Sequence, residues 1–298
     1  MHNQASKQTS VPVFVLCRSL RWHKNITYIN APAMGVRASN MPSFPLMSDL
    51  PKSIVTVGWN WEQFTAPTLP SQNFWLGTDR EGNRWLTKLR GSSYAYREIV
   101  FAKLAQAMNW SCQSSVFLKL DGESASTLGV DPVESHAAHW FMPEHKNQPC
   151  SGDCAIKFLY GKEICTVNDL ADSKVAHLLD WPKSEYAAYL FGGNEPPGRL
   201  FTLAHEFVII DAEQMFSTGP CSFETAHWWS EPDGMPSQSG RALALEVCAD
   251  LSALTERGIE DALHIPQGIK IQKDLQIEEK LRSSREFAES FAKSQRWP

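Results

Sequence analysis

Short apolar runs separated by turn residues dominate residues 54–120 of the chain. Runs rich in β-branched and aromatic residues, which are typical of strands, occur at residues 54–57, 74–78, 84–89 and 116–120. The Gly and Asn between the second and third runs predict a hairpin turn. Apolar positions recur at helical spacing from residue 94 to residue 108. After a first strand, the pattern therefore predicts strand, turn, strand, helix and strand.

The second half of the chain moves from loop-rich to mainly helical patterns. Residues 122–148 are predicted to be rich in loops, and a helical stretch follows from 167 to 191, where Pro182 must start or break a helix. A short apolar run at 207–210 predicts a buried strand that ends in Asp211. Further helices are predicted at residues 241–255 and 275–294.

Composition excludes several classes of protein. The chain has 298 residues, of which 43% are hydrophobic, so it can bury a substantial core and is not disordered. The net charge is −5 and basic residues are interleaved with acidic ones, which argues against nucleic acid as a partner. The apolar run at 13–17 is too short to span a membrane. The seven cysteines are scattered, and we expect a cytoplasmic protein with reduced thiols and no membrane partner.

Lys88 and Glu98 form the most informative pair. Glu98 lies three, seven and ten positions before Phe101, Ala105 and Met108, so it shares the apolar face of its predicted helix. A carboxylate on such a face needs a partner, and a lysine at the end of the preceding strand is a natural one. In kinases this pairing orients the lysine toward nucleotide phosphates. The ordinary alternative is an exposed hairpin lysine and a glutamate that favours the helix N-terminus.

A second group of residues lies around the loop from Gly192 to Arg199, which is followed by one short strand and Asp211. Kinase-type sites place a catalytic loop before a strand that ends in a metal-binding Asp. Amide and carboxylate oxygens suit Mg²⁺, which makes Asn194 and Asp211 the candidate metal ligands. The ordinary alternative is a Gly/Pro connection and an acid that bonds its own turn.

Histidines and cysteines are frequent in the middle of the chain, at His136, His139, His145, Cys150, Cys154 and Cys165. These side chains could ligate Zn²⁺, but their spacing fits no strong zinc signature. We interpret the region as a loop with free thiols and solvent-facing histidines. A metal-dependent hydrolase is the alternative, and it requires these side chains to converge within metal distance.

The order of these segments resembles the HipA-like kinase family from about residue 74 to the C-terminus. The matching pieces are the strand around Lys88, the Arg97-Glu98 helix, the Gly193-Asn194 loop and Ile209-Ile210-Asp211. The resemblance implies an α+β, protein-kinase-like two-lobed fold, with ATP between the lobes. It assigns an extension to residues 1–50, a β-rich lobe to 51–145 and a helical lobe to 146–298.

The same resemblance implies roles for individual residues. Lys88 would contact phosphates, Glu98 would hold Lys88, and Asp211 would bind magnesium. The family's loop usually carries an Asp after the Asn, whereas Glu195 follows Asn194 in this chain, so Glu195 is the candidate base, with His205 as the alternative.

Phosphate binding has a separate candidate, because no glycine-rich loop precedes the hairpin. The turn from Arg90 to Ser93, including Ser92, could offer backbone donors to an anion.

The family resemblance implies an ATP- and Mg²⁺-dependent kinase that phosphorylates a hydroxyl of an unidentified protein. By the family resemblance it would act as a toxin-like regulator of a translation or stress component. The alternative is a pseudokinase-like module that binds nucleotide or protein without phosphotransfer.

Overall fold

Six strands form one sheet in the N-terminal half of the described chain. The computed structural model describes residues 45–64, 74–89, 92–141, 180–193, 197–201, 207–217, 238–271 and 275–294, all within the unit Ala33–Pro298. The strands are β1 (Ser53–Val55), β2 (Asn60–Phe64), β3 (Phe74–Thr78), β4 (Arg84–Lys88), β5 (Ser115–Lys119) and β6 (Ser135–Trp140). Their order is β1-β5-β6-β4-β3-β2, and only the β1–β5 pair is parallel.

Helices dominate the C-terminal half. The described helices are α1 (Ser92–Ala107), α2 (Gly122–Leu128), α3 (Asp180–Leu190), α4 (Gln238–Ser252), α5 (Glu256–Leu263) and α6 (Leu275–Ser294). A short 3₁₀ helix covers Met47–Asp49, and β7 (Gly198–Phe201) pairs with β8 (Phe207–Ile210) in a second, antiparallel sheet. The predicted α+β class, with a β-rich N-terminal lobe and a helical C-terminal lobe, is confirmed.

The sheet register decides which side chains share a face. Lys88 lies opposite Phe74 on one side and Ala137 on the other, and Leu86 lies opposite His139. Because strand side chains alternate, all of these residues point to one face of the sheet. Helix α1 packs against β5 and β6 on this face.

The largest core cluster joins the two lobes. Buried side chains of α1 pack with those of α3, β8 and the C-terminal helices, and representatives are Tyr96, Ile99, Phe101, Phe191, Phe207, Val247, Leu251 and Leu281. The opposite face of the sheet carries a separate cluster around Trp85, Leu118 and Leu128. The tryptophans of the described strands, Trp61, Trp75, Trp85 and Trp140, pack in this cluster or against it.

The predicted loop-rich centre is wrong for residues 122–140. Asp121 accepts a hydrogen bond from the Ser124 amide at 2.9 Å and so caps α2, which ends at the left-handed Gly129. Strand β6 then fills the position between β4 and β5. The sequence of β6, which contains Ser and His, did not predict a strand. Pairing with β4 and β5 on both edges stabilises it as one.

Other boundaries follow the predictions closely. Strands β3, β4, β5 and β8 and helices α1 and α6 lie where their patterns placed them. Pro182 is in the first turn of α3, the position that tolerates proline. Strands β2 and β7 and helix α5 were not predicted. The division at residues 50 and 145 stays a prediction, because residues 1–44 and 142–179 lie outside the described ranges.

Candidate functional site

Lys88 is the centre of a buried ionic cluster. It is the last residue of β4, and its Nζ lies 2.5 Å from Glu98 Oε1, as the sequence predicted. The same ammonium contacts the Asp211 carboxylate directly and lies 3.8 Å from Glu213 Oε2. One lysine thus joins α1, the end of β8 and the residues that follow β8.

Asp211 owes its position to the second sheet. Strand β8 is joined to the segment before β5, because Ile209 donates to the Ser111 carbonyl and Gln113 donates to the Ile209 carbonyl, both at 2.9 Å. Directly after this strand, Asp211 adopts a left-handed backbone with φ 54°. A non-glycine residue in this region is uncommon, and such conformations cluster at functional sites.

Glycine at position 198 permits this approach of the backbone. A Cβ on Gly198 would lie 3.0 Å from Asp211 Cβ and 3.3 Å from the Ile210 carbonyl oxygen. These contacts are tighter than ordinary van der Waals contact. The absence of a side chain at Gly198 therefore allows Asp211 to take its position.

The cluster keeps its charges although it is buried. Burial alone would raise the pKa of Glu98, but the charge of Lys88 and the His139 ring outweigh it and lower the pKa to about 2. Burial would lower the pKa of Lys88, whereas the neighbouring Glu98 and Asp211 carboxylates raise it above its usual value. At neutral pH both Glu98 and Lys88 are therefore ionised.

The cluster opens to solvent on one side. The side chains of Lys88 and Glu98 are 9% and 5% exposed, whereas that of Asp211 is 38% exposed. A ligand would therefore reach the cluster from the side of Asp211. A small pocket lies at this cluster, and its lining includes Glu98, Asp211, His139, Cys112, Gln113 and Ser115.

Three carboxyl groups at this site have the donor set for a metal ion. Among the described residues, oxygens of Glu98, Asp211 and Glu213 lie within 4.8 Å of one another. Both oxygens of Glu98 already have partners, Lys88 and His139. Carboxylate oxygens suit hard cations such as Mg²⁺, and Asp211 is the accessible donor of this group.

His139 extends the cluster into the sheet. Its Nε2 lies 3.1 Å from Glu98 Oε2, and its Nδ1 lies 2.7 Å from Ser115 Oγ. His136 and His139 are buried in β6 rather than solvent-facing in a loop, so that prediction is wrong. Three residues apart in a strand, they point to opposite faces and cannot share a metal ion.

Several predicted site residues lie outside the described ranges. These are Arg90, Asn194, Glu195 and His205, together with His145, Cys150, Cys154 and Cys165. Ser92 is the first residue of α1 and Arg199 is in β7. The structure thus brings together Lys88, Glu98 and Asp211, and the predicted convergence of Asn194 with Asp211 stays a prediction.

Two members of the cluster were not predicted as part of it. Glu213 carried a signal, since it lies two residues after Asp211. His139 carried none, because its partners Glu98 and Ser115 are distant in sequence and depend on the register of β6 with β5.

Comparisons with known proteins give a limited result. No family model matches the sequence, and no curated protein matches it. Among solved structures, the crystal structure of a Helicobacter pylori proinflammatory kinase, CtkA, is similar with a TM-score of 0.46 and 10% identity. The match covers 80% of this chain and 94% of that chain. A likeness at this level establishes neither a family nor an activity.

A membrane-spanning helix is not found in the part of the chain that the structure describes, since no helix there combines the required length and hydropathy.

Proposed function

We propose that the chain is an ATP- and Mg²⁺-dependent phosphotransferase of the HipA-like kinase type that acts on a protein hydroxyl. The observation that carries the proposal is the contact of the buried Lys88 with both Glu98 and Asp211. In kinases, a strand lysine held by a helix glutamate lies beside a metal-binding Asp at a strand end. The three residues of this chain come from the corresponding kinds of elements, β4, α1 and the end of β8.

The charge and exposure of the cluster support phosphate binding. Lys88 is charged and contacts the buried Glu98. Its other carboxylate contact, Asp211, lies on the solvent-accessible side of the cluster. A phosphoryl oxygen could take the place of the Asp211 oxygen at the ammonium. Asp211 would then be available, with Asn194 as its proposed companion, to hold Mg²⁺. Bound Mg²⁺ would supply neutralisation of the phosphate charges.

A buried apolar cluster next to Lys88 is the candidate contact for a nucleobase. Leu86 lies two residues before Lys88 on the same face of β4, and it belongs to a buried cluster with Phe64, Phe74, Leu76 and Phe141. Aromatic and aliphatic side chains beside a charged group are typical of cofactor sites. We propose that the adenine lies against this cluster.

The proposed chemical step belongs to the loop between α3 and β7. Glu195 is the proposed general base for the acceptor hydroxyl. General-base assistance contributes about 10²–10⁴-fold in rate. Glu195→Gln should therefore reduce phosphotransfer on that scale and leave ATP binding nearly unchanged.

The deciding experiment measures ATP binding by calorimetry with and without Mg²⁺, beside an autophosphorylation assay. Wild type should bind ATP more tightly with Mg²⁺, and Asp211→Asn should abolish this difference. Asp131→Asn is the matched control, because Asp131 is an exposed turn residue whose Oδ1 accepts the Val133 amide, a contact that asparagine retains. Equal Mg²⁺ dependence in wild type and Asp211→Asn would contradict the proposal.

The altered loop sequence favours one second candidate. Asn194 is followed by Glu195 and two prolines rather than by the Asp-Arg pair that is usual after this Asn in the HipA-like family. Nucleotide binding without any phosphotransfer would identify a pseudokinase-like module. In that case the cluster around Lys88 would serve binding alone.

A further inference from the structure

Glu98 has two partners, and only one of them belongs to the proposed phosphate site. Its Oε1 contacts Lys88, and its Oε2 contacts the ring of His139 on β6. His139 is 4% exposed and lines the same small pocket as Asp211, but its described hydrogen bonds go to Glu98 and Ser115 and not to Asp211. The contact with Glu98 is therefore the described route by which His139 can affect the proposed phosphate site.

The position of the ring proton follows from the charge of Glu98. Because the pKa of Glu98 is about 2, this carboxylate accepts hydrogen bonds and has no proton to donate at neutral pH. The 3.1 Å contact therefore requires the proton on His139 Nε2. At the other nitrogen, Nδ1, the Ser115 hydroxyl lies at 2.7 Å and completes the chain Ser115–His139–Glu98–Lys88.

The sheet itself holds this chain in place. Ser115 and His139 are directly opposite each other in the antiparallel β5–β6 pair, and His139 is also opposite Leu86, two residues before Lys88. The histidine ring is therefore fixed to the same rigid sheet that carries the lysine. Glu98 reaches this sheet from a separate element, helix α1.

A single contact would leave the glutamate side chain free to turn. Glu98 has three side-chain torsions, and the contact with Lys88 fixes only one oxygen. A phosphate ligand would compete for the same ammonium and weaken that contact. A second hydrogen bond from the sheet keeps the carboxylate oriented while Lys88 changes partners.

We propose that His139 is a positioning residue that fixes Glu98 from the sheet, so that Lys88 is presented to a phosphoryl ligand in one orientation. This inference rests on the proposed function. It predicts that the Lys88–Glu98 pair is maintained by β6 as well as by α1. A change at His139 should then act on the nucleotide site through Glu98.

The variants His139→Leu and His139→Gln separate positioning from general packing. Leucine fills similar space without a donor, whereas the glutamine amide can donate from near the Nε2 position. A hydrogen bond to a charged group is stronger than one between neutral groups, and His139→Leu removes the bond to Glu98. We therefore expect Mg²⁺–ATP binding to be weaker by roughly tenfold or more in His139→Leu. His139→Gln should recover most of this loss. His136→Leu is the matched control, since His136 is a buried histidine of the same strand on the opposite face.

A second measurement does not depend on nucleotide. Nitrogen NMR of the wild-type protein should show the His139 ring protonated at Nε2, and Glu98→Gln should shift that signal. A ring without a proton on Nε2 would overturn the inference, whatever the protein binds.

The binding results separate the two levels of argument. If wild type binds Mg²⁺–ATP and His139→Leu binds it equally well, the positioning role is wrong and the proposed function stands. The same conclusion follows if His136→Leu lowers affinity as much as His139→Leu. If wild type binds no nucleotide, the proposed function fails, and the positioning role toward a phosphoryl ligand fails with it.

Discussion

At the scale of single residues, Glu98 couples the ionic cluster to the pH dependence of folding. Burial raises the pKa of Glu98, but Lys88 and His139 together lower it from the usual 4.5 to about 2. A carboxyl group with a lowered folded-state pKa stabilises the protein above its unfolded-state pKa, and this contribution is lost as pH falls through the folded-state value. The shift corresponds to about 3 kcal/mol of the free energy of unfolding.

We therefore predict that the stability of wild type falls between about pH 4.5 and pH 2 more steeply than that of Glu98→Gln. Urea unfolding at a series of pH values measures both slopes. The exposed Glu134 provides the control, and Glu134→Gln should keep the wild-type slope. Equal slopes for wild type and Glu98→Gln would show that Glu98 is not held as an ionised, paired group.

Gly198 permits a second residue-scale prediction, on the position of Asp211. In Gly198→Ala the new Cβ would press on Asp211 Cβ at 3.0 Å, so the carboxylate must move relative to Lys88. Misplacement of a site residue by about 1 Å can reduce function on the order of a hundredfold. We therefore expect the affinity of Gly198→Ala for Mg²⁺–ATP to be lower than that of wild type by about tenfold or more.

Calorimetric titration of the variant measures this loss. Gly122→Ala is the control, because a Cβ there meets nothing within 4 Å, and it should bind as wild type does. Unchanged affinity in Gly198→Ala would mean that the turn at Asp211 adjusts without loss.

At the scale of elements, helix α1 is held by the helical lobe as well as by the sheet. The buried Tyr96 hydroxyl donates to the Leu263 carbonyl at the end of α5, at 3.0 Å. Lys103 lies two turns further along the same face of α1 and donates to the carbonyls of Asp261, Ala262 and His264. Helix ends leave carbonyls without intrahelical partners, and these two side chains satisfy them.

We predict that Tyr96→Phe lowers the free energy of unfolding by about 1–3 kcal/mol, because it leaves a buried carbonyl without its donor. Tyr94→Phe is a matched control on the same helix, since Tyr94 is 38% exposed and should change stability little. Urea unfolding measures both variants. A loss in Tyr96→Phe no larger than that in Tyr94→Phe would show that this contact does not hold α1.

Elements with strong local signals were predictable, and those that depend on neighbours were not. The Gly and Asn of the turn at 79–83 and the β-rich runs beside it were sufficient to place β3 and β4. Strand β6 has little intrinsic strand preference and exists because β4 and β5 bond to both of its edges. The helical spacing of Glu98 predicted its burial and its pair, whereas His139 could be found only after the register of β6 was known.

At the scale of the whole molecule, one core connects the sheet lobe to the helical lobe. Phe101 of α1 packs edge-on against Phe191, which follows α3, with ring centroids 6.2 Å apart. Phe191 in turn packs against Phe216, which lies six residues after the end of β8, and their ring centroids are 5.2 Å apart. These side chains lie in the cluster that also contains residues of α4, α5 and α6, so the largest core of the described chain is shared between the two lobes.

We therefore predict that the two lobes unfold in one transition. Tryptophan fluorescence reports on the sheet through Trp61, Trp75, Trp85 and Trp140, which are four of the eleven tryptophans, while circular dichroism reports mainly on the helices. Coincident urea curves from the two probes are the test of a single cooperative unit.

Phe191→Ala should lower the free energy of unfolding by about 3–5 kcal/mol and shift both curves equally, because it opens a cavity where the lobes meet. Phe287→Ala, at a position 37% exposed on α6, should have a much smaller effect. Curves that separate in wild type, or a shift in Phe191→Ala seen by one probe alone, would show that the lobes fold as independent domains and that the geometry around Lys88 and Asp211 depends on their docking.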